Sequence, residues 1–231
     1  MDARLRSIIA STNQGIGTLN EGSLHAALKP RYTRPGDELE APLDGFVIDI
    51  RRPGLLVEIQ TASFHAMGPK LDALLGAHRM LVVHPIAVET YLQRPGKKLR
   101  KSPKRQSVYQ LFDELVSIPT LLDHPNLSLE VVLVSVLRVE APDAKTRRGR
   151  RGYRTVDTQL REVLGVHRFE TARDLAELLP TALPSCFTTR DLAEHARVPR
   201  PLAQRMTYCL RFLELISEVR RSRSGIHYVR A

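Results

Sequence analysis

Two apolar segments joined by a Pro-Gly dipeptide, FVIDIRRPGLLVEIQT at residues 46–61, constrain the fold more than any other part of the sequence. Pro53-Gly54 is typical of a tight turn, so the segment predicts a β-hairpin in which Arg52 pairs with Leu55. Side chains alternate between the two faces of a strand. This alternation predicts one wholly apolar face, made of Phe46, Ile48, Ile50, Leu55, Val57 and Ile59.

The other face of the predicted hairpin carries two carboxylates. In this register Asp49 lies directly opposite Glu58, and Gln60 follows on the same face as Glu58. Like charges in opposed positions repel each other, whereas a hard divalent cation would bind both sets of carboxylate oxygens. The pattern therefore favours either a Mg²⁺ or Mn²⁺ site or a solvated polar face, and a shift of register by one residue would separate the acids.

The composition is that of a chain with a buried core and no membrane segment. The 231 residues are 42% hydrophobic, and no apolar run approaches the length of a membrane span. The two cysteines, Cys186 and Cys209, do not form a disulfide framework, and no Cys/His spacing typical of zinc sites occurs. We expect a soluble, cytoplasmic protein with no membrane partner.

Positive charge is concentrated in the second part of the chain. Residues 1–90 carry 9 Lys or Arg against 10 Asp or Glu, whereas residues 91–231 carry 26 against 15, for a net charge of +10 overall. Residues 94–105 hold seven basic side chains and no acid, and 145–154 is a second basic segment. Such a distribution suits a polyanion, most often nucleic acid, although either segment could equally be a solvated loop.

The hydrophobic pattern predicts a helix, three strands, a helix and a strand within the first 90 residues. The predicted ranges are 20–29 for the first helix, 37–44 for the first strand, 46–61 for the hairpin, 63–75 for the second helix and 79–86 for the last strand. Pro30 should end the first helix, and Gly68-Pro69 should interrupt the second. Further predictions are a helix at 108–122, a long strand at 127–140, a strand or helix at 155–169 and a helix at 171–179.

This order of elements, with its acids, resembles the PD-(D/E)XK nuclease superfamily over about residues 15–90. Glu21 on the first helix, Asp49 on the second strand and Glu58 on the third match the acids of that family. Gln60 stands where the family usually has a lysine, and Lys70 on the next helix could supply that charge. The resemblance implies a mixed α/β (α+β) fold with a restriction-endonuclease-like αβββαβ core. It also implies Mg²⁺ or Mn²⁺ held by Asp49 and Glu58.

The last 45 or so residues resemble a second family, the winged helix-turn-helix domains. Phe187 and Thr188 predict a helix start, a second helix begins near Pro201, and a hairpin closes the chain. The resemblance covers 186–231 and implies that the second helix enters the major groove of DNA while the wing contacts the backbone. The DNA-binding candidates are Arg200, Gln204, Arg205, Tyr208, Arg211, Arg221 and Arg223.

Together these patterns predict a nuclease-like domain at 1–180 and a winged helix at 181–231. The predicted function is metal-dependent DNA hydrolysis in defence, repair or mobile-element processing, with Glu21, Asp49, Glu58, Gln60 and Lys70 at the active site. The partners expected are DNA and possible proteins of a larger nucleic-acid-processing system. The alternative is a catalytically inactive adaptor of the same fold, because Gln60 cannot supply positive charge.

Overall fold

The computed structural model describes residues 22–143, 152–223 and 225–231. The helices are α1 (Ser23–Tyr32), α2 (Gly68–Leu74), α3 (Leu111–Leu115), α4 (Thr189–Ala196) and α5 (Arg200–Phe212). The strands are β1 (Glu38–Leu43), β2 (Phe46–Arg52), β3 (Leu55–Ile59), β4 (Met80–Gln93), β5 (Arg100–Lys101), β6 (Leu127–Pro142), β7 (Tyr153–Phe169), β8 (Cys186–Thr188), β9 (Ile216–Ser222) and β10 (Gly225–Arg230). Glu21 and most of the basic segment 145–154 lie outside the described residues. Within those residues, no helix is both long enough and apolar enough to cross a bilayer.

A seven-stranded mixed sheet forms the centre of the molecule. Its strand order is β1-β2-β3-β4-β6-β7, and β5 pairs with β4 outside that path. β1, β2 and β3 are antiparallel neighbours, β3 and β4 are parallel, β4 and β6 are parallel, and β7 returns antiparallel to β6. The predicted mixed α/β class is confirmed. The helix, three strands, helix and strand of the first 90 residues also occur in the predicted order.

The register predicted for the central hairpin is confirmed from the turn to Ile50 and Val57, but the pairing stops before the predicted pair of Asp49 and Glu58. Arg52 pairs with Leu55, and Ile50 pairs with Val57. Gly54 has a φ of +76° at the turn, which is the left-handed conformation that the third residue of a type II turn requires.

Of the two alternatives for the polar face of this hairpin, the solvated one is wrong. The predicted apolar face holds for Ile50, Val57 and Ile59, which share one core, whereas Ile48 lies in the other core with Leu56. Four of the five residues of β3 are buried, because helices cover both faces of the sheet. Leu56 belongs to a core with Leu71 of α2, whereas Val57 belongs to a second core with Leu28 of α1. A strand buried on both faces is apolar almost continuously, as in parallel sheets.

Several predicted boundaries change for local reasons. Pro30 lies inside α1, which continues to Tyr32. The helix predicted at 108–122 is interrupted because Ile118 precedes Pro119 and has a non-helical φ of −132°. The segment at 155–169 is a strand, and the one at 171–179 is a 3₁₀ helix, Ala172–Leu178. The second predicted helix begins as a 3₁₀ turn capped by Ser63 and starts again as an α-helix at Gly68, as the Gly-Pro pair predicts.

The C-terminal residues form two helices and a three-stranded sheet of order β8-β10-β9. Thr188 caps α4 and forms a capping box with Asp191, as the sequence predicts. The buried side chains of this part, such as Phe187 and Leu210, belong to the same core as α2 and α3 of the larger part. Helix α5 also packs on α3, where Arg205 Nη1 lies 2.6 Å from Asp113 Oδ1.

Candidate functional site

The two predicted acids meet where β2 and β3 stop pairing. The last paired residues are Ile50 and Val57. Beyond this pair a side chain connects the two strands, because Asp49 Oδ2 accepts a hydrogen bond from the Ile59 N–H at 2.7 Å. The Asp49 N–H in turn donates to Glu58 Oε1 at 3.4 Å. The structure therefore brings Asp49 and Glu58 close together at the end of β3, although they are not the directly opposed pair that the register predicts.

Helix α1 brings two basic side chains to Asp49. His25 Nε2 lies 3.0 Å from Asp49 Oδ2, and Lys29 Nζ lies 3.9 Å from Asp49 Oδ1. The two residues are one helical turn apart, so they share a face of α1. Lys29 also pairs with Glu40 of β1. Glu40 has a φ of +51° and lies opposite Asp49, at a position between the paired residues Leu39–Ile50 and Ala41–Ile48 of β1 and β2.

Helix α2 brings a lysine to the other acid. Lys70 Nζ lies 2.9 Å from Glu58 Oε2 and donates to the carbonyl of Val47 at 2.8 Å. The Glu58 side chain is 9% exposed and that of Lys70 is 18% exposed. The prediction that Lys70 can reach the acids from the following helix therefore agrees with its position.

Gln60 has a different set of contacts. Its side-chain amide donates to the Ser63 carbonyl at 2.7 Å, which turns it toward the loop after β3. Its own carbonyl is bound by His84 Nδ1 at 2.7 Å. His84 also packs edge-on against Phe64, and burial lowers its pKa. These contacts give His84 a structural role, and the Gln60 side chain bonds to Ser63 and not to either acid.

The surroundings separate the protonation behaviour of the two acids. Burial would raise the pKa of Asp49, but the hydrogen bonds from His25 and Ile59 and the charge of Lys29 together hold that pKa below its usual range. Burial raises the pKa of Glu58, and the neighbouring Asp49 charge adds to this effect against the opposing influence of Lys70. Asp49 therefore stays ionised to a lower pH than Glu58, whose pKa the charge of Asp49 helps to raise.

Asp49 and Glu58 provide a limited set of metal ligands. Within the part of the chain that the structure describes, no cluster of three or more His, Cys, Asp or Glu side chains has the arrangement of a metal site. One or two carboxylates suffice for Mg²⁺, which keeps most of its water ligands. The two acids therefore fit a Mg²⁺ or Mn²⁺ ion bound largely by water and substrate, but not a closed site made of protein ligands.

The predicted DNA-binding residues lie on the surface of the C-terminal part. Those on α5 are Arg200, Gln204, Arg205, Tyr208 and Arg211, and all five are exposed. Arg221 and Arg223 are exposed on the β9–β10 hairpin. Two of the arginines have acidic partners, because Arg205 pairs with Asp113 and Arg221 pairs with Glu218 at 2.5 Å.

Sequence reasoning missed three residues around the acids: His25, Lys29 and Glu40. A signal was present for the first two. They lie four residues apart and flank the buried Leu28 on α1, so the sequence places two polar side chains beside an apolar stripe. Glu40 had no such signal, because a left-handed φ at a residue other than glycine is not revealed by strand alternation.

Comparison with known proteins identifies a family. The family model described as "Domain of unknown function (DUF8091)" matches residues 22–170. A relative from Treponema pallidum (strain Nichols), described as an uncharacterized protein, is 34% identical over 209 residues, and the match covers 86% of this chain and 79% of the relative. No solved structure matches the chain. Because the matched segment includes all of the sheet from β1 to β7, the chain belongs to the family described as a domain of unknown function (DUF8091).

Proposed function

We propose that this protein is a metal-dependent DNA endonuclease. The observation that carries the proposal is the meeting of Asp49, Glu58 and Lys70 at the point where β2 and β3 separate. Two carboxylates and a cation at one end of a sheet are the groups that hydrolysis of a phosphodiester requires. Their elements also follow the αβββαβ order of the PD-(D/E)XK nucleases that the sequence resembles.

Each residue at the site would have a separate role in hydrolysis. Asp49 and Glu58 would hold Mg²⁺ or Mn²⁺, which when bound polarises the phosphate and lowers the pKa of the attacking water. Lys70 would move from Glu58 to the phosphate and stabilise the negative charge that develops there. His25 and Lys29 would keep Asp49 ionised and correctly oriented, which makes them positioning residues.

The positions of two clefts in the described part of the chain favour a polymeric substrate. One cleft lies beside Leu55 and Leu81, at the beginning of β3 and β4, and another lies beside Ala77. The first cleft reaches Val57, next to Glu58, but neither cleft is lined by the acids or by Lys70. A small molecule is usually enclosed in a pocket, whereas a nucleic acid can approach the end of the sheet from outside the protein.

The C-terminal part supports DNA as that polymer. Two helices followed by a hairpin form a compact unit with an exposed, arginine-bearing second helix. This arrangement is similar to winged helices that place the second helix in the major groove.

The test is DNA cleavage by the full chain, measured on duplex, nicked and branched substrates with Mg²⁺, Mn²⁺ or EDTA. Wild type should cut at least one substrate only when a metal is present. Glu58→Gln should abolish cutting, whereas Asp72→Asn, which changes an exposed acid of α2, should leave it unchanged. Cutting that survives Glu58→Gln would refute the proposed site.

A specific observation supports the second candidate, an inactive adaptor. Gln60 occupies the position of the expected lysine and is directed toward Ser63. If wild type binds DNA but cuts none of these substrates with any metal, the endonuclease proposal fails and the adaptor function remains.

A further inference from the structure

A part of the large sheet extends beyond the core as a basic arm. We define the basic arm as residues 88–105, 137–143 and 152–161, which are the distal parts of β4, β6 and β7 together with β5. It carries ten Lys or Arg and four Asp or Glu. The arm therefore contributes a net charge of +6 on a small part of the surface.

Backbone pairing of β4, β6 and β7 holds the arm together, and contacts between cations and aromatic rings add to it. The guanidinium of Arg161 lies 3.9 Å from the ring centroid of Tyr91, and that of Arg94 lies 4.4 Å from the ring centroid of Tyr153. Arg94 also pairs at 2.6 Å with Glu140, whose side chain is 8% exposed. These contacts fix the backbone of the arm, so part of its charge has a structural role.

The rest of the charge has no such role. Five exposed cations lie on the loop and short strand at one side of the arm: Lys97, Lys98, Arg100, Lys104 and Arg105. None of the five forms an ion pair with an acid among the residues that the structure describes, whereas their neighbour Lys101 pairs with Glu89. Grouping five unpaired cations costs electrostatic energy, which an anionic partner would recover.

The strand register connects the arm to the candidate active site. β3 and β4 are parallel and end their pairing at Ile59 and Val83, one residue beyond Glu58. β4 then continues for ten residues to Gln93, which is about 33 Å at the usual rise per residue. The arm thus begins at the end of the sheet that carries the acids, and its length is about one helical turn of duplex DNA.

We infer that the basic arm binds the phosphate backbone of duplex DNA and holds the duplex against the end of the sheet that carries Asp49 and Glu58. The inference rests on the proposed function for the choice of DNA as the partner. It adds a second contact surface, separate from the C-terminal helix α5. Arginine and lysine contacts of this kind set affinity and position and are independent of base sequence.

The test measures duplex binding by the full chain in EDTA, where cleavage cannot occur. Fluorescence anisotropy of a labelled 30-base-pair duplex gives the dissociation constant at several salt concentrations. Combining Lys97→Ala, Lys98→Ala and Arg100→Ala should reduce the dependence of log K on log salt by about 2.7, at 0.9 for each phosphate contact. Affinity at about 0.1 M salt should fall roughly 100-fold or more.

Two control variants test whether the effect is specific to the charge of the basic arm. Arg31→Ala, Arg34→Ala and Arg79→Ala together remove the same charge from exposed residues at the opposite end of the sheet, and they should change the salt dependence by less than about one unit. Exchanging Lys for Arg and Arg for Lys at 97, 98 and 100 keeps the charge and should restore wild-type binding.

The outcomes for the arm and for the nuclease are distinguishable. If the arm variant binds duplex like wild type, or loses no more affinity than the matched control, the inference about the arm is wrong even if wild type cleaves DNA. If wild type binds with the predicted dependence on the arm but does not cleave, the arm stands and the nuclease fails. If wild type binds no duplex at any salt concentration, the arm inference is overturned as well.

Discussion

Asp49→Asn tests the two roles of this carboxylate, one in the fold and one toward a metal. In the folded chain Asp49 accepts hydrogen bonds from the Ile59 N–H at 2.7 Å and from His25 at 3.0 Å. Hydrogen bonds to a charged group contribute about 1.5–3 kcal/mol. Because asparagine keeps one acceptor oxygen, we expect the free energy of unfolding in EDTA to fall by about 2 kcal/mol. The melting temperature should then fall by roughly 4–8 °C for a chain of this size.

Mn²⁺ should increase the difference in melting temperature between Asp49→Asn and wild type. A metal that binds only the folded state adds about 2.7 kcal/mol at a hundredfold excess over its dissociation constant. This gain corresponds to an increase in melting temperature of roughly 5–11 °C. Wild type and Asp72→Asn should both show it, since Asp72 is an exposed acid away from the pair. Asp49→Asn should not.

Differential scanning fluorimetry in EDTA and across a Mn²⁺ titration provides the measurement. An equal increase for wild type and Asp49→Asn would mean that Asp49 is not a ligand of the ion. An unchanged melting temperature for Asp49→Asn in EDTA would mean that its hydrogen bonds to the backbone and His25 do not stabilise the fold.

Two other substitutions examine separate parts of the molecule. Lys70→Met leaves the largely buried Glu58 without its partner, so it should lower the free energy of unfolding by about 3 kcal/mol. It should also abolish cleavage, and a variant that cuts normally would exclude Lys70 from the site. Asp191→Ala removes the capping box of α4 and should cost about 1 kcal/mol at pH 7 by urea unfolding. The Thr188 N–H holds the pKa of Asp191 below its usual range, so this contribution is present above about pH 4 and is lost as the pH falls. A difference that persists at pH 2 would contradict the charged cap.

The central hairpin shows what local sequence can predict. Its turn chemistry and its alternating apolar residues both depend on neighbours within a few positions, and they place Arg52 opposite Leu55 as observed. The Thr188 capping box was predictable for the same reason, since Asp191 is three residues away. The order of elements followed from hydrophobic periodicity, which likewise needs no knowledge of distant contacts.

The remaining features depend on contacts that are distant in sequence. The burial of Leu56 on the second face of β3 results from α2 packing there, and alternation within the hairpin cannot reveal it. His25 reaches Asp49 across 24 residues, so neither residue by itself indicates the pair. Gln60 was predicted at the acids from its place on the strand, but its side chain bonds to Ser63 in the following loop. The role of Glu21 stays a prediction, because the residue lies outside the described part of the chain.

The shared core has a consequence for how the two parts of the chain would act together. Phe187 and Leu210 are buried in the same cluster as Leu71 of α2, and α5 packs directly on α3. A domain on a flexible linker samples many orientations, whereas parts that share a core keep one. Under the proposed function, the distance between the duplex contact of α5 and the cleaved bond should therefore depend on the dimensions of this core and not on the length of the connecting chain.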